Sequence, residues 1–393
     1  MERRTDGKFR LGPVLLGISI TTVSTIPVFM TGALGVQIRH DLHLDASQLG
    51  GAVAIFFATA SVSSIFSGRF AQKSGFEIIL KLCVLASVVS LGGIGLLAYN
   101  YISLLGFLAL GGVVNGASQP AVNLFLSKVV PTGRQGFAFG IKQAAIPVST
   151  FLSGLAVPAI ALTIGWHFAY LAIAPAGLIL FFLIPKARET RGSNNRAVES
   201  SQAIYVTPLI VLAVAMGLGS GAANALGAFL VSSSVHDGWA PGTAGLLVVL
   251  GSITGILSRL TNGYFADRRV GRHLAVTAWM VGVGGIGYLL LLLGYVWLVI
   301  PATMIAYGAG WGWNGLFNFA VVSNYPKAAG YATGITQAGA YIGSVVGPIL
   351  FGFIVDGYGY RPAWSTAALE ALLAAGAMIL ARRMLSVKAQ RLR

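Results

Sequence analysis

The stretch Gly263-Tyr-Phe-Ala-Asp-Arg-Arg-Val-Gly-Arg272 lies between two long apolar runs, and it decides how the rest of the chain is interpreted. A weaker copy, Gly68-Arg-Phe-Ala-Gln-Lys-Ser-Gly75, begins 195 residues earlier and is likewise enclosed by apolar runs. A basic loop that recurs in the same apolar setting predicts a chain made of two similar halves.

Further matches keep an offset of 194 to 195 residues and occur in the same order in both halves. They pair Gly50 with Gly245, Pro131 with Pro326, Gly140-Ile-Lys-Gln-Ala144 with Gly334-Ile-Thr-Gln-Ala338, and Gly165-Trp-His-Phe-Ala-Tyr170 with Gly359-Tyr-Arg-Pro-Ala-Trp364. Ordered matches at one period indicate a parallel internal repeat.

The composition excludes an ordinary soluble domain. Of 393 residues, 56% are apolar and only 9% are charged, against about 25% charged in soluble domains. Apolar segments long enough to cross a bilayer, here named spans 1 to 12, lie near residues 12–37, 47–68, 78–98, 102–127, 136–162, 166–185, 205–232, 242–264, 273–294, 296–322, 329–355 and 362–382. The sequence predicts an all-α integral membrane protein of twelve transmembrane helices in two repeated six-helix bundles.

The polar segment after span 6 predicts the domain boundaries. We expect an N-terminal six-helix bundle at residues 1–185, a cytoplasmic linker at 186–204 and a C-terminal six-helix bundle at 205–393.

The distribution of Lys and Arg predicts the topology. With twelve spans, 23 of the 26 Lys and Arg residues fall on the side that holds both termini, and cytoplasmic loops collect such residues. We therefore expect a multi-pass protein of the plasma or inner membrane with both termini cytoplasmic. The basic excess then sets topology, so no nucleic-acid partner is expected; the lipid bilayer is the surrounding partner, and a monomer is expected.

The sequence lacks motifs for catalysis, phosphate binding or metal binding. It has one cysteine, Cys83, and no phosphate-binding loop, catalytic triad or metal cluster can be assembled. We expect no enzyme activity, no cofactor and no metal site.

The loop at residues 263–272, together with the repeat, resembles the signature loop of the major facilitator superfamily, and the resemblance covers nearly the whole chain. It implies transport by alternating access, with the loop acting as a conformational latch. The latch residues that it implies are Gly263, Asp267, Arg268, Gly271 and Arg272 in the second half, and Gly68 and Gln72 in the first. Because Gln72 replaces the family's acid, a first-half latch should be the weaker one.

Two cations are the candidates for a substrate site. Lys142 lies about 9 Å inside span 5 and Arg259 about 7 Å inside span 8, where a charge costs at least ~2.5 kcal/mol. The resemblance implies that spans 5 and 8 face each other, and Arg259-Leu-Thr-Asn-Gly263 is similar to the substrate-cation position of the monocarboxylate and oxalate/formate branches. Those branches place an acid where this chain has Gly255. The alternative is that both side chains snorkel to the headgroups.

Amides in the predicted spans could complete this site, because they donate and accept hydrogen bonds. Interhelical hydrogen bonding is the alternative role. The candidates, including one indole ring, are Asn115, Gln119 and Asn123 in span 4, Gln143 in span 5, Asn224 in span 7, Asn314, Asn318 and Trp313 in span 10, and Gln337 in span 11.

These features predict a secondary active or facilitative transporter that moves a small organic anion by alternating access. One alternative is a drug or metabolite efflux transporter of the same superfamily, which normally has an acid in the cavity, whereas spans 1, 4, 7 and 10 contain no Asp or Glu. The other is a non-transporting membrane receptor, which usually needs a longer soluble tail.

The latch hypothesis makes a prediction for Asp267→Asn. Removing this charge should shift the balance between inward- and outward-open forms, because it removes the carboxylate that would pair across the loop. Thiol labelling of a single cysteine on each face measures the shift. Unchanged labelling on both faces would reduce the loop to an element of topology.

Overall fold

The computed structural model describes residues 11–130, 141–186, 206–266 and 272–391, and every regular element in these ranges is a helix. Span 1 is Leu11–Ala33 followed by Gly35–Leu42, span 2 Ala46–Ser74, span 3 Phe76–Leu97, span 4 Tyr101–Val129, span 5 Ala145–Ala156 with a π-helical turn Val157–Ala161 and Leu162–Ile164, and span 6 Trp166–Leu183. In the second half span 7 is Val206–His236, span 8 Pro241–Ala266, span 9 His273–Leu292, span 10 Val296–Gly308 and Asn314–Asn324, span 11 Ala329–Tyr358 and span 12 Tyr360–Arg391.

The predicted all-α membrane architecture is confirmed. Eleven helices in the described part of the chain are long and apolar enough to cross a membrane, and the twelfth segment is broken into two shorter helices. The predicted linker, apart from Lys186, falls among residues 187–205, outside the described ranges, so the domain boundaries stay a prediction.

Span 10, predicted near residues 296–322, consists of two helices, Val296–Gly308 and Asn314–Asn324. Span 10 leaves helical geometry between Gly308 and Asn314, where the sequence reads Gly-Ala-Gly-Trp-Gly-Trp. Glycine weakens a helix interior because it loses the most backbone entropy on ordering. The break frees backbone carbonyl groups near the middle of the bundle, and one of them serves the site described below.

The repeat is visible in the backbone as well as in the sequence. Gly165, before span 6, has φ 104°, and its repeat partner Gly359, before span 12, has φ 87°. Residues with a Cβ rarely adopt these angles, which explains why glycine stands at both positions.

The two halves meet closely near the face that carries residues 43–45 and 237–240, here called the far face; the other, to which the described chain ends point, is the terminal face. A Cβ at Gly50 would overlap the carbonyl of Pro348, and one at Gly352 would overlap the carbonyl of Ala46. Spans 2 and 11 therefore approach each other so tightly that only glycine fits at these two positions.

One carboxylate closes the far face. Asp356, at the end of span 11, accepts hydrogen bonds from the backbone N–H groups of Ala46 (2.8 Å) and Ser47 (2.7 Å), the first two residues of span 2. These N–H groups have no acceptor within their own helix, and the helix N-terminus favours a negative charge. The acid of one half thus caps a helix of the other.

This contact predicts that Asp356→Ala favours opening of the far face. Loss of a helix-capping oxygen costs about 1 kcal/mol, so the equilibrium should move several-fold towards forms that are open at the far face. Spin labels at His43 and Thr243, exposed residues of opposite halves, report the opening as a longer distance on a Cys83→Ala background.

Asp41→Asn is the matched control for this experiment. Asp41 accepts a hydrogen bond from Trp166 Nε1 (2.8 Å) within the first half, so its loss should leave the distance between the halves unchanged. An Asp356→Ala distance distribution identical to that of Asp41→Asn would contradict a closing role for Asp356.

Candidate functional site

Lys142 is held by two amides that the sequence also singled out. Its Nζ donates hydrogen bonds to Gln119 Oε1 (2.5 Å) and Asn123 Oδ1 (2.9 Å) of span 4, and only 4% of the residue is exposed. The structure thus joins three predicted site residues into one cluster. Neutral amides satisfy the hydrogen bonds of an ammonium group but not its charge.

Arg259 is held by the break in span 10. Its Nη2 donates to the carbonyl of Trp311 (2.9 Å), and its Nη1 donates to the carbonyl of Gly255 (3.4 Å), one turn back along span 8. The sequence pattern did not reveal the Trp311 carbonyl as a partner. The available signal was the run of alternating glycines at residues 308–312, which marks the helix break.

Both cations lie at matching depth. Asn123, which binds Lys142, precedes the end of span 4 by six residues, and Arg259 precedes the end of span 8 by seven. At 1.5 Å per residue, both positions are about 10 Å from the terminal-face ends of their helices. Arg259 is deeper than the sequence predicted because span 8 continues to Ala266.

The hydrogen bonds point the cations into the bundle. Gly255 lies nearer the bundle centre than Arg259, and Gln119 lies deeper than Asn123. Snorkelling would direct both side chains to the terminal face instead.

Spans 5 and 8 face each other, as the resemblance implied. Thr150 Oγ1 and Ser252 Oγ share a hydrogen bond of 2.7 Å between the two halves, and a Cβ at Gly255 would stand 3.9 Å from the Cβ of Pro147. Lys142 lies five residues before Pro147, and Arg259 lies four residues after Gly255, both towards the terminal face. The two cations therefore flank the end of the contact between the two halves.

No carboxylate neutralises either cation within the described ranges. The ion pairs there join His40 to Asp41 and Lys81 to Glu77. A charge removed from water without a counter-charge attracts an anion strongly. An anionic ligand would supply the counter-charge that the described residues do not.

Aromatic rings cluster at the break in span 10. The ring of Trp311 contacts Phe29 of span 1 and Tyr307 of span 10, each with ring centroids 5.4 Å apart. Phe29 belongs to the first half and Trp311 to the second, so this cluster also joins the halves. Trp311 thus binds Arg259 through its backbone carbonyl, while its ring adds apolar, planar surface between the halves.

Two of the predicted amides form interhelical hydrogen bonds. Asn115 Nδ2 donates to Thr25 Oγ1 (3.0 Å) and Ser24 Oγ (3.3 Å), joining span 4 to span 1. Asn224 Nδ2 donates to Ser344 Oγ (2.9 Å), joining span 7 to span 11. These contacts match the alternative role foreseen for them.

The remaining candidates are spread over the second half and span 5. Trp313 is fully buried, its Nε1 donates to the carbonyl of Gly310 (2.8 Å), and its ring lies against Gly219, so packing accounts for it. Asn314 Oδ1 is buried without a hydrogen-bond partner in the described structure. Half-buried positions are taken by Asn318 and Gln143, and an exposed one by Gln337.

The latch falls largely outside the described residues. Asp267, Arg268 and Gly271 are among residues 267–271, and the surroundings of Gly68 and Gln72 are not described either. Gly263 and Arg272 are described, and a Cβ at Gly263 would meet open space. The latch roles therefore stay predictions.

Comparisons with known proteins agree with this architecture. The family model described as Major Facilitator Superfamily matches residues 16–231 and 212–391. The chain is 22% identical over 368 residues to the quinolone resistance protein NorA of Staphylococcus aureus strain MSSA476, with 88% of each chain covered.

Solved structures resemble the fold as well. One is a bacterial homologue of the human lysosomal transporter Spinster in an inward-facing, occupied conformation, with a TM-score of 0.76, 17% identity, and 94% of this chain and 96% of that chain covered. Another is the nucleoside transporter NupG, with a TM-score of 0.73, 14% identity, and 95% and 100% covered.

The Lys142 cluster predicts a specific pattern of stabilities. Changing both Gln119 and Asn123 to Leu removes the acceptors of a buried ammonium group and should cost about 1.5–3 kcal/mol. Adding Lys142→Met should recover most of this loss, because no charge then remains to be satisfied. Thermal unfolding of the purified variants measures both effects; equal stability of the double and triple variants would contradict the cluster.

Proposed function

The chain belongs to the major facilitator superfamily, and from this premise we propose that it carries a small organic anion between Lys142 and Arg259 by alternating access. The family and fold are those of transporters rather than enzymes. The observation that carries the proposal is a pair of cations, the buried Lys142 of the first half and the half-buried Arg259 of the second, without an acidic partner in the described structure.

The two cations lie on different halves, and this is what couples binding to movement. Lys142 lies in the first half, three residues before span 5 begins at Ala145, and Arg259 lies in span 8 of the second half. An anion that contacts both cations joins the halves at the terminal-face end of their contact, whereas an empty site leaves two like charges facing the same region. Bound substrate thus favours closure of the halves around it, as alternating access requires.

Substrate can replace the groups that now bind Lys142 and Arg259. The amide oxygens of Gln119 and Asn123 accept hydrogen bonds from Lys142, and the carbonyl of Trp311 accepts one from Arg259. A carboxylate offers a full negative charge where these groups offer only partial ones, and charge-assisted hydrogen bonds are about twice as strong as neutral ones. The displaced amides remain able to donate to the substrate.

The likeness to NorA favours a second candidate, export of a drug. Those relatives are named for quinolone resistance, and a quinolone is a planar aromatic acid. For such a molecule we propose that the carboxylate binds Arg259 and that the ring system packs against Phe29 and Trp311, whose backbone carbonyl also binds Arg259. The two candidates therefore share the cations and differ in whether the aromatic cluster takes part.

We also propose that the protein lies in the cell membrane as a monomer with both termini cytoplasmic, since 23 of 26 Lys and Arg residues then fall in the cytoplasmic half of the molecule. The expected partner is a small anionic molecule, and no nucleic-acid partner is proposed.

Uptake into proteoliposomes tests the proposal. Small carboxylates that stabilise the purified protein in thermal-shift measurements serve as substrates. Arg259→Gln and Lys142→Gln should each lower affinity about 10- to 100-fold, because each removes a charge-assisted hydrogen bond worth about 1.5–3 kcal/mol. Lys142→Arg should retain part of the transport because it keeps the charge.

Lys128→Gln is the matched control, since it removes an equal charge from an exposed position at the end of span 4. Transport that is unaffected by Arg259→Gln and Lys142→Gln would refute the anion site. The same assay with a quinolone as substrate, on the wild-type protein and on Phe29→Ala, separates the two candidates. If the protein exports drugs, quinolone should be transported and Phe29→Ala should reduce that transport.

A further inference from the structure

A groove of about 430 Å³ runs along the outside of the second half, away from the two cations. It lies between spans 7, 11 and 12, and its volume is that of a drug-sized ligand site. Between Ile210 and Gly221 of span 7 the groove extends for eleven residues, which corresponds to about 16 Å.

The groove opens to the bilayer. At its rim, Ile210 is 53% exposed, Val214 54% and Ile342 65%. Large apolar side chains with this exposure on the outside of a membrane bundle face hydrocarbon. A ligand therefore enters from the lipid and must itself be largely apolar.

Glycines make room for the groove. A Cβ at Gly343 would overlap the carbonyl of Gly217, and one at Gly347 would contact the backbone of Gly221. Spans 7 and 11 are thus in backbone contact, and the floor of the groove is smooth and lacks bulky side chains.

Glu370 is the one ionisable residue in the lining of this groove. It lies ten residues after Tyr360 in span 12, about 15 Å from the far face and so near the middle of a ~30 Å hydrocarbon core. Within the described chain it makes no ion pair; the hydroxyl of Tyr288, which lacks a hydrogen-bond partner, is its electrostatic neighbour.

We propose that this groove binds an apolar amine, with the nitrogen at Glu370 and the apolar body along spans 7 and 11. A carboxyl group is costly in hydrocarbon unless it is paired, and an amine is its chemical complement. When a neutral amine arrives from the lipid, the Glu370 carboxyl transfers its proton to the nitrogen, and the resulting carboxylate and ammonium stay in contact. Charge and protons balance without another reactant.

The depth of Glu370 excludes a phospholipid headgroup as the polar partner, because headgroups stay at the membrane surface. An acyl chain could fill the apolar part of the groove but offers nothing to the carboxyl. The charge complementarity of an amine distinguishes it from lipid. This site is independent of the proposed function, since it shares no residue with the Lys142 and Arg259 cluster.

Protection from a hydrophobic carbodiimide tests the proposal on the full-length protein in nanodiscs. Dicyclohexylcarbodiimide reacts with membrane-embedded carboxyl groups, and mass spectrometry measures its rate at Glu370. The ligand probe is N,N-dimethyldodecylamine, a tertiary amine that forms no stable amide with the activated acid. At ten times its dissociation constant it should slow labelling of Glu370 about tenfold.

Two controls separate recognition of the amine by Glu370 from mere filling of the groove by the alkyl chain. Dodecanol has the same chain without the amine and should protect little, and labelling of Glu77, which is paired with Lys81 on span 3 (2.7 Å), should not respond to the amine. In thermal-shift measurements the amine should stabilise the wild-type protein and Glu77→Gln, but not Glu370→Gln. Equal protection by dodecanol, or no protection by the amine, would overturn the proposal.

Discussion

A polar group inside hydrocarbon must find its partner within the protein, and this constraint accounts for the main features of the structure. Backbone groups satisfy it through helices. Where a helix is interrupted, side chains supply the partners, as Arg259 does for the freed carbonyl of Trp311. The N–H groups at the start of span 2 are satisfied by Asp356 from the other half. Each of these hydrogen bonds joins segments that are distant in sequence.

Under the same constraint, an ionisable side chain that lacks a counter-charge or a hydrogen-bond partner within the protein indicates a candidate ligand site. Lys142 has acceptors but no counter-charge, and Glu370 has neither a hydrogen-bond acceptor nor a cation in the described structure. The two groups differ in chemistry, one an amine and the other an acid, and in surroundings, because Lys142 is buried beside span 4 whereas Glu370 lines the groove that faces lipid. We propose an anion as the ligand of the first and an amine as the ligand of the second.

Close packing controls how the halves can move. Gly50 and Gly352 let spans 2 and 11 touch near the far face, while Thr150 and Ser252 join spans 5 and 8 closer to the centre. The alternating access that we propose would break these contacts in turn. Because the hydrogen bonds of Asp356 are few and partly exposed to water, they can be broken and remade at small cost.

The sequence by itself determined the helical architecture, the twofold repeat and the two intramembrane cations, since all three depend on local composition and spacing. It also supplied Gln119 and Asn123 as candidates. Only the tertiary structure decided that these amides bind Lys142 while Asn115 and Asn224 join helices, that Trp313 is buried in packing, and that span 10 is broken. The physical reason is that hydrophobic partition acts on each segment separately, whereas a hydrogen bond between residues 23, 52 or 310 positions apart depends on how helices rotate and approach.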